Sequence, residues 1–429
     1  MIRTPERAAK IAVWLRTITS GSGLLSKASL VLVGEIITRG VGFLFPLVLA
    51  HGTSKPVFAL IYFFINTGWF VAEPVLTGYP TALIHFLALH RQRPAAWATS
   101  ALIGGIPLLF LSIAVGEAMA KGANAPLGLM SIVVVGLSID AYYFAALQGL
   151  GRFRLLPVYR GSANIIQLLL LIAAIRLGRA SEAVAVTIYS FVYLIPIIGL
   201  EARFGLIRRP FLHRKSRVEW EQIRALTKFA VPALVAGTAY ATIFNLDSFF
   251  IQLFSPHSLA DYGAAKTLTV PLGLIPFAIG IVLFPQVSAA SPDRGWRLLG
   301  RGLRVVAAVE VLAIGGYLLL ASVAVQLSFP ESYQSAATPL RLLAPAVAIL
   351  GCYHVLSQWW LGNGRPLVPA TSLSVGALLC VGCHMLLTSR YGAIGAALSI
   401  TCGIGIASVI LGVMTGRAAL HRRREAMST

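Results

Sequence analysis

Negative charge is scarce in this chain, and charge of either sign is sparse. Only 15 of the 429 residues are Asp or Glu, and charged residues make up 12% of the total, about half the share a soluble globular protein carries. So few ionisable groups exclude a water-facing surface over most of the chain. Strand patterning is missing too. The apolar residues come in continuous runs and not in alternation, which excludes a transmembrane β-barrel. The sequence has no Gly-rich phosphate loop before a helix, no metal-ligand cluster and no nucleophile elbow. Long outer loops are lacking; the longest expected one, about 325–337, has 13 residues. A membrane glycosyltransferase or polymerase generally needs a sizeable outer loop for acceptor sugar and catalytic groups, so that class is disfavoured and no enzyme activity or cofactor is expected.

Cysteine is limited to Cys352, Cys380, Cys383 and Cys402, all in apolar segments. Cys380-Val381-Gly382-Cys383-His384 spells the C-x-x-C-H pattern of haem attachment. It falls in mid-segment, beyond the reach of attachment machinery, and reads as buried structural thiols.

What the chain has is apolar length. Hydrophobic residues make up 57% of it and the mean hydropathy is +0.80. Stretches of about 20 apolar residues, enough to cross the hydrocarbon core as helices, recur throughout. Twelve are expected, near 29–50, 57–79, 96–118, 126–148, 155–176, 182–203, 229–253, 262–284, 302–324, 338–361, 367–388 and 394–416. The fold class is therefore an all-α polytopic membrane protein.

The net charge of +20 invites a nucleic-acid partner, but its distribution excludes one. With the N-terminus inside, 26 of the 35 basic residues fall in inner loops and tails and five in outer loops (Lys55, Lys121, Arg176, Arg179 and Arg390). That is the positive-inside pattern, with both termini cytoplasmic, and the excess charge meets anionic lipid heads. Residues 1–28 carry Arg3, Arg7, Lys10, Arg16 and Lys27 without an apolar core and cleavage site in order, so a cleavable signal is not expected. Residues 8–19 read as a weakly amphipathic helix on the inner face.

Gly149-Leu150-Gly151-Arg152 closes one apolar segment, and Gly362-Asn363-Gly364-Arg365 closes another 213 positions later. Each is followed by a proline, Pro157 and Pro369. Gly178 and Gly392 recur at nearly the same offset. Repetition at half-length predicts two similar six-helix lobes in one orientation. The expected division is a cytoplasmic segment 1–28, a first lobe 29–203, a basic linker 204–228, a second lobe 229–416 and a basic tail 417–429. The G-x-G-R phrases themselves read as helix-ending glycines with an interfacial arginine.

Ionisable residues also lie inside the segments: Glu35, Arg39, Glu73, Asp140, Arg160, Asp247, Lys266, Glu310 and Arg341. Each costs about 2.5–3.5 kcal/mol or more at mid-bilayer unless paired or hydrated. Glu35 and Arg39, four apart, can pair on one helix, or Arg39 can face a cavity and bind an anion. Asp140 and Asp247 are candidate proton or ion sites, or partners for Arg160 and Lys266. Glu310 and Arg341 are expected near helix ends, snorkelling to the interface. His85, His354 and His384 stand on separate segments and read as core residues. Trp359 and Trp360 read as interface anchors, and Pro232, Pro271 and Pro276 as kinks.

Longer phrases carry a family resemblance. They are Thr38-Arg39-Gly40-Val41-Gly42-Phe43, Gln148-Gly149-Leu150-Gly151-Arg152-Phe153, Lys228-Phe229-Ala230-Val231-Pro232 and Asn245-Leu246-Asp247-Ser248-Phe249-Phe250. Tyr262-Gly263-Ala264-Ala265, Phe284-Pro285 and Tyr391-Gly392-Ala393-Ile394-Gly395-Ala396-Ala397 continue the series. In order and spacing the chain resembles the polysaccharide (Wzx-type) flippases of the multidrug/oligosaccharidyl-lipid/polysaccharide exporter superfamily. The resemblance implies a V-shaped, two-lobed bundle that flips a polyprenyl-(pyro)phosphate-linked oligosaccharide to the outer leaflet of a bacterial inner membrane. It implies alternating access driven by protons or sodium ions, and polysaccharide polymerase or export machinery as partners. Arg39 fits the family's helix-one arginine and, with Arg160, Lys266 and Arg341, makes the candidate phosphate-binding set. Glu35, Glu73, Asp140 and Asp247 are the candidate coupling groups. Pro56-Val57-Phe58-Ala59 replaces the family's usual Tyr-Gly opening of helix two. A drug or organic-cation antiporter of the same superfamily remains the competing reading.

Overall fold

The structure, a computed structural model, describes residues 40–90, 94–153, 155–204, 219–288 and 290–428. All regular structure among them is helical. Among the described residues ten helical stretches are long and apolar enough to cross a membrane, and Gly40–Gly52, α1, is a shorter apolar helix. The last stretch, Leu367–His421, spans 55 residues, about 80 Å if straight. It contains Gly392 at φ +54°, ψ −127°, a non-helical turn that splits it into two passes. Helix therefore fills most of the described part of each of the twelve apolar segments; residues 29–39 lie outside the described ones.

The elements after α1 are α2 Lys55–Leu89, α3 Pro94–Gly122, α4 Leu129–Gly149, α5 Leu155–Arg176, α6 Glu182–Phe191 and α7 Leu194–Phe204. They continue with α8 Trp220–Asn245, α9 Asp247–Phe254, α10 Leu259–Thr269, α11 Leu274–Ser288, α12 Pro292–Ser328, α13 Ala337–Gly362, α14 Leu367–Cys383 and α15 Ser389–Ser428. In the first half, α2 packs against α3, α4 and α6; in the second, α13, α14 and α15 pack together with α12 on α13. Across the halves the broadest contact is α2 on α8, joined by α8 with α3 and α10 with α2.

Hydrocarbon gives apolar side chains little reason to leave it, so close packing of small residues holds the passes together. A Cβ on Gly136 would lie 2.3 Å from the Ser190 carbonyl oxygen, and one on Gly376 2.5 Å from that of Gly403. In the first third of α2, Phe58, Ile61, Phe63 and Phe64 are all fully buried. α12 turns Val311, Leu312, Leu319 and Leu327 outward, as lipid contact requires.

Helix ends are closed in repeated ways. At the end of α4, Gly151 has φ +73°, Gly151 N–H donates to Gln148 O (3.0 Å), and Arg152 N–H donates to Leu147 O (2.9 Å). At the end of α13, Gly364 has φ +71°, Gly364 N–H donates to Leu361 O (2.9 Å), and Arg365 N–H donates to Trp360 O (3.0 Å). Both are the Schellman closure, which needs the left-handed conformation that glycine adopts without strain. The two matched sequence phrases thus build the same cap. Glu117, at the end of α3, closes the start of α4 by accepting from Gly128 N–H (2.8 Å), Ser131 N–H (2.9 Å) and Ser131 Oγ (2.6 Å).

Three expected passes are interrupted: between α6 and α7, at Leu246, and by the 3₁₀ turn Val270–Gly273. Pro271 lies in that turn, whereas Pro232 sits inside α8, which continues past it. Several helices outrun their apolar stretches, among them α2, α8, α12 and α15. α12 starts at Pro292 because Arg294, Arg297, Arg301 and Arg304 recur every three or four residues and continue one helical face into water.

Candidate functional site

The break at Leu246 gathers the largest polar cluster described. α8 ends at Asn245 and α9 starts at Asp247, a fully buried residue. Its Oδ1 accepts from Ser248 N–H (2.8 Å) and from Asn66 Nδ2 (2.7 Å). Its Oδ2 accepts from Lys266 Nζ (2.7 Å) and from the Tyr262 hydroxyl (2.5 Å). The carbonyls left open by the broken helix are also met: Lys266 Nζ donates to Phe244 O, and Asn66 Nδ2 to Asn245 O at 3.2 Å. Thr67 and Ser248 hydroxyls lie 2.9 Å apart. The Phe244 and Asn245 carbonyls at this interruption thus find donors inside the protein, as non-helical backbone at membrane depth requires.

The cluster crosses the molecule. Asn66 and Thr67 belong to α2; Asp247 and Ser248 to α9; Tyr262 and Lys266 to α10. Two further sets of bonds join the halves. Towards one end, Lys55 Nζ meets Asp261 Oδ1 (2.7 Å) and donates to Ser332 O (2.7 Å), over the Tyr333 ring. Towards the other end, Tyr79 and Thr227 hydroxyls lie 2.7 Å apart and Ser100 Oγ donates to Gln222 Oε1 (3.0 Å). The seam between the halves is therefore bridged at three levels. Beside Asp261 lies a cavity of about 600 Å³ whose lining includes Ser255, His257, Asp261, Arg390 and Tyr391.

A second ion pair stays within the first half. Arg160 Nη2 meets Asp140 Oδ2 at 3.1 Å, and the Tyr159 hydroxyl donates to Asp140 Oδ1 at 2.8 Å. The Arg160 guanidinium lies 3.8 Å from the Phe144 ring centre.

The candidate residues thus separate into groups. Asp247 with Lys266, and Asp140 with Arg160, form two local pairs. Glu73 on α2 faces Gly237 of α8, where a Cβ would stand 2.6 Å from its Oε1; no cation bonds it among the described residues. Arg341 does not join the pairs: its Nη2 donates to Ser322 Oγ (2.9 Å) and its Nε to Leu318 O (3.2 Å). Glu35 and Arg39 lie outside the described residues. Glu310 is 2% exposed and does not snorkel. Trp359 and Trp360 are buried, Trp359 against Trp296 and Trp360 Nε1 on Thr415 Oγ1 (2.9 Å), so they pack helices together. His384 is buried, stacked on Phe250, with Nδ1 2.9 Å from Thr388 Oγ1. Among the described residues no group of three His, Cys, Asp or Glu is placed to hold a metal ion.

A search for ionisable groups passes over Asn66, Thr67, Ser248 and Tyr262. The signal for Asn66 and Thr67 is a polar pair inside the apolar run Phe63-Phe64-Ile65-Asn66-Thr67-Gly68-Trp69.

No family model matches the chain. It is 25% identical over 187 residues to an uncharacterized membrane protein of Methanocaldococcus jannaschii; the match spans 42% of this chain and 37% of that protein's length. Among solved structures, a lipid II flippase, MurJ, in an inward closed conformation is similar over 90% of this chain and 87% of its own, with 14% identity and a TM-score of 0.74. A multidrug resistance MATE family transporter of the MOP superfamily is similar in inward-facing form over 95% of this chain and 97% of its own, with 13% identity and a TM-score of 0.62. In outward-facing form it covers 93% of this chain and 96% of its own, with 14% identity and a TM-score of 0.63. The chain has the all-helical, polytopic membrane fold of this flippase and these transporters.

Proposed function

We propose that the protein is an ion-coupled transporter that flips a polyprenyl-(pyro)phosphate-linked oligosaccharide from the inner to the outer leaflet, and not an enzyme. The carrying observation is the likeness to a lipid II flippase over 90% of the chain, at a TM-score above those of the multidrug transporter. The basic inner loops support a cytoplasmic-membrane location with both termini inside, and a role in cell-surface polysaccharide assembly follows from the substrate class.

In this reading a sugar–phosphate head needs a polar path with cations, while the lipid tail stays in the bilayer. Arg39 offers the first cation. Lys266 and Arg160 are engaged by carboxylates, so a phosphate reaches them by competing with Asp247 or Asp140. Competition at Lys266 loosens the Asn66–Asp247 bridge and so links substrate entry to separation of the halves. Glu35, Glu73, Asp140 and Asp247 are the proposed coupling groups, with protons or sodium ions as the driving species.

Glu73 favours a second reading, a drug or organic-cation antiporter. A carboxylate facing the seam between the halves without a bonded cation among the described residues is what an organic cation would meet.

The deciding measurement uses proteoliposomes and a fluorescent polyprenyl-pyrophosphate oligosaccharide, scored by an impermeant quencher, under an imposed proton or sodium gradient. Gradient-dependent movement of the lipid is expected, and Arg39→Ala is expected to abolish it with normal membrane insertion. An immobile lipid together with gradient-driven movement of a small organic cation would overturn the flippase reading in favour of the antiporter.

A further inference from the structure

Glu310 is a carboxyl that the pairs above leave unused. It lies midway along α12, 2% exposed, and neither Oε1 nor Oε2 has a hydrogen-bond partner among the described residues. Its neighbours are arranged to keep it so. A Cβ on Gly351 of α13 would stand 2.7 Å from Oε1 and 2.8 Å from a ring carbon of Pro276 on α11, so the carboxyl fits against bare backbone and a proline ring that carries no N–H.

Each neighbouring element offers the same answer to where a counter-charge would come from. α11 carries no ionisable residue between Leu274 and Ser288. α13 brings Cys352, half-buried, and His354, whose ring stacks on Phe277 at 5.5 Å. On α10, Lys266 is bound to Asp247. On α12 itself, Arg304 bonds Gly300 O and the Tyr317 hydroxyl donates to Leu268 O (2.7 Å).

An ionised carboxylate with no partner in this setting costs several kcal/mol, and the neutral acid far less. A metal cation would need several ligands, and among the described residues no group of three His, Cys, Asp or Glu that could hold one includes Glu310. We propose that Glu310 is a proton-binding site, loaded as the neutral acid while α12 packs on α13 and α11, and emptied to water when those helices part. This deepens the transport reading by naming a proton as a coupling species and the second half as the place it binds.

The test is covalent labelling with dicyclohexylcarbodiimide, which reacts with protonated carboxyls in apolar surroundings, on the full chain at pH 7, mapped by mass spectrometry. Trypsin leaves Glu310 and the exposed Glu331 on one peptide, giving an internal reference. Labelling of Glu310 is expected to exceed that of Glu331 about a hundredfold, because an exposed glutamate at pH 7 is protonated in roughly one molecule in five hundred. Gly351→Ala, which pushes the carboxyl from its cradle, is expected to lower that ratio at least severalfold. Equal labelling of the two residues overturns the proposal.

In proteoliposomes, Glu310→Gln is expected to keep downhill exchange of the lipid-linked probe and lose the response to a pH gradient. A full gradient response in that variant also overturns the proposal. Strong Glu310 labelling in a wild-type protein that moves no lipid-linked probe would support the proton site and defeat the flippase reading, so the two can fail separately.

Discussion

Two buried ion pairs of the same chemical kind, one in each half, differ in what else they hold. Asp140–Arg160 joins α4 to α5, and its carboxylate takes a second bond from Tyr159, next door on α5. Asp247–Lys266 joins α9 to α10, and the same carboxylate also takes a bond from Asn66 on α2, in the other half. If the halves move as bodies, the first pair travels intact. The second cannot, because its extra bond spans the boundary. A buried ion pair is weak evidence of stability; its other partners decide whether it is a fixture of one body or a latch between two.

Breaking the latch pair should have the largest effect. Asp247→Ala or Lys266→Ala leaves a buried charge without its partner and should destabilise the protein by about 3–5 kcal/mol, read as detergent-solubilised unfolding. The double variant should fall well short of the summed singles, since the stranded charge is gone. Additivity would show that the two residues do not act as a pair.

Asn66→Leu tests the cross-half bonds of this one side chain with the Asp247–Lys266 pair left in place. It removes the donor to Asp247 Oδ1 and Asn245 O and should cost about 1–3 kcal/mol. It should also speed thiol labelling of a cysteine placed at Thr67; unchanged labelling would mean that these bonds do not hold the seam.

Asp140→Ala should cost less, about 1–2 kcal/mol after discounting for screening, since the Arg160 side chain is 25% exposed and rests on Phe144. It should leave labelling at Thr67 unchanged, and an Asp140 variant that opens the seam would erase the contrast between the pairs.

Lys55→Ala should have the smallest effect on stability, below about 1 kcal/mol, because that pair is partly exposed at 30% and 13%. It should act on conformation, raising thiol labelling of a cysteine at Ser335 in the adjoining cavity by severalfold. Unaltered labelling there would remove Lys55–Asp261 as a closure of that end.

Much of the architecture was legible beforehand. Twelve apolar stretches predict twelve passes because hydrocarbon leaves a lone chain no way to satisfy its backbone except helix. The repeated G-x-G-R phrases mark two helix ends, and their second glycines, Gly151 and Gly364, adopt the same left-handed turn. The candidate site was legible in part: Asp140, Arg160, Asp247 and Lys266 stand out as charges in apolar runs, while Asn66 and Tyr262 carry no charge to attract notice.

The sequence by itself determined that this chain lies in a membrane as helices, and roughly where each begins and ends, because those depend on local composition and local backbone bonding. Tertiary structure decided which charges meet. Asn66 reaches Asp247 across 181 positions and Lys55 finds Asp261 across the same seam, while Glu310 finds no counter-charge among the described residues. Pairing in a low-dielectric interior depends on a few ångströms of helix position and rotation, and these are set by packing between segments far apart in the chain.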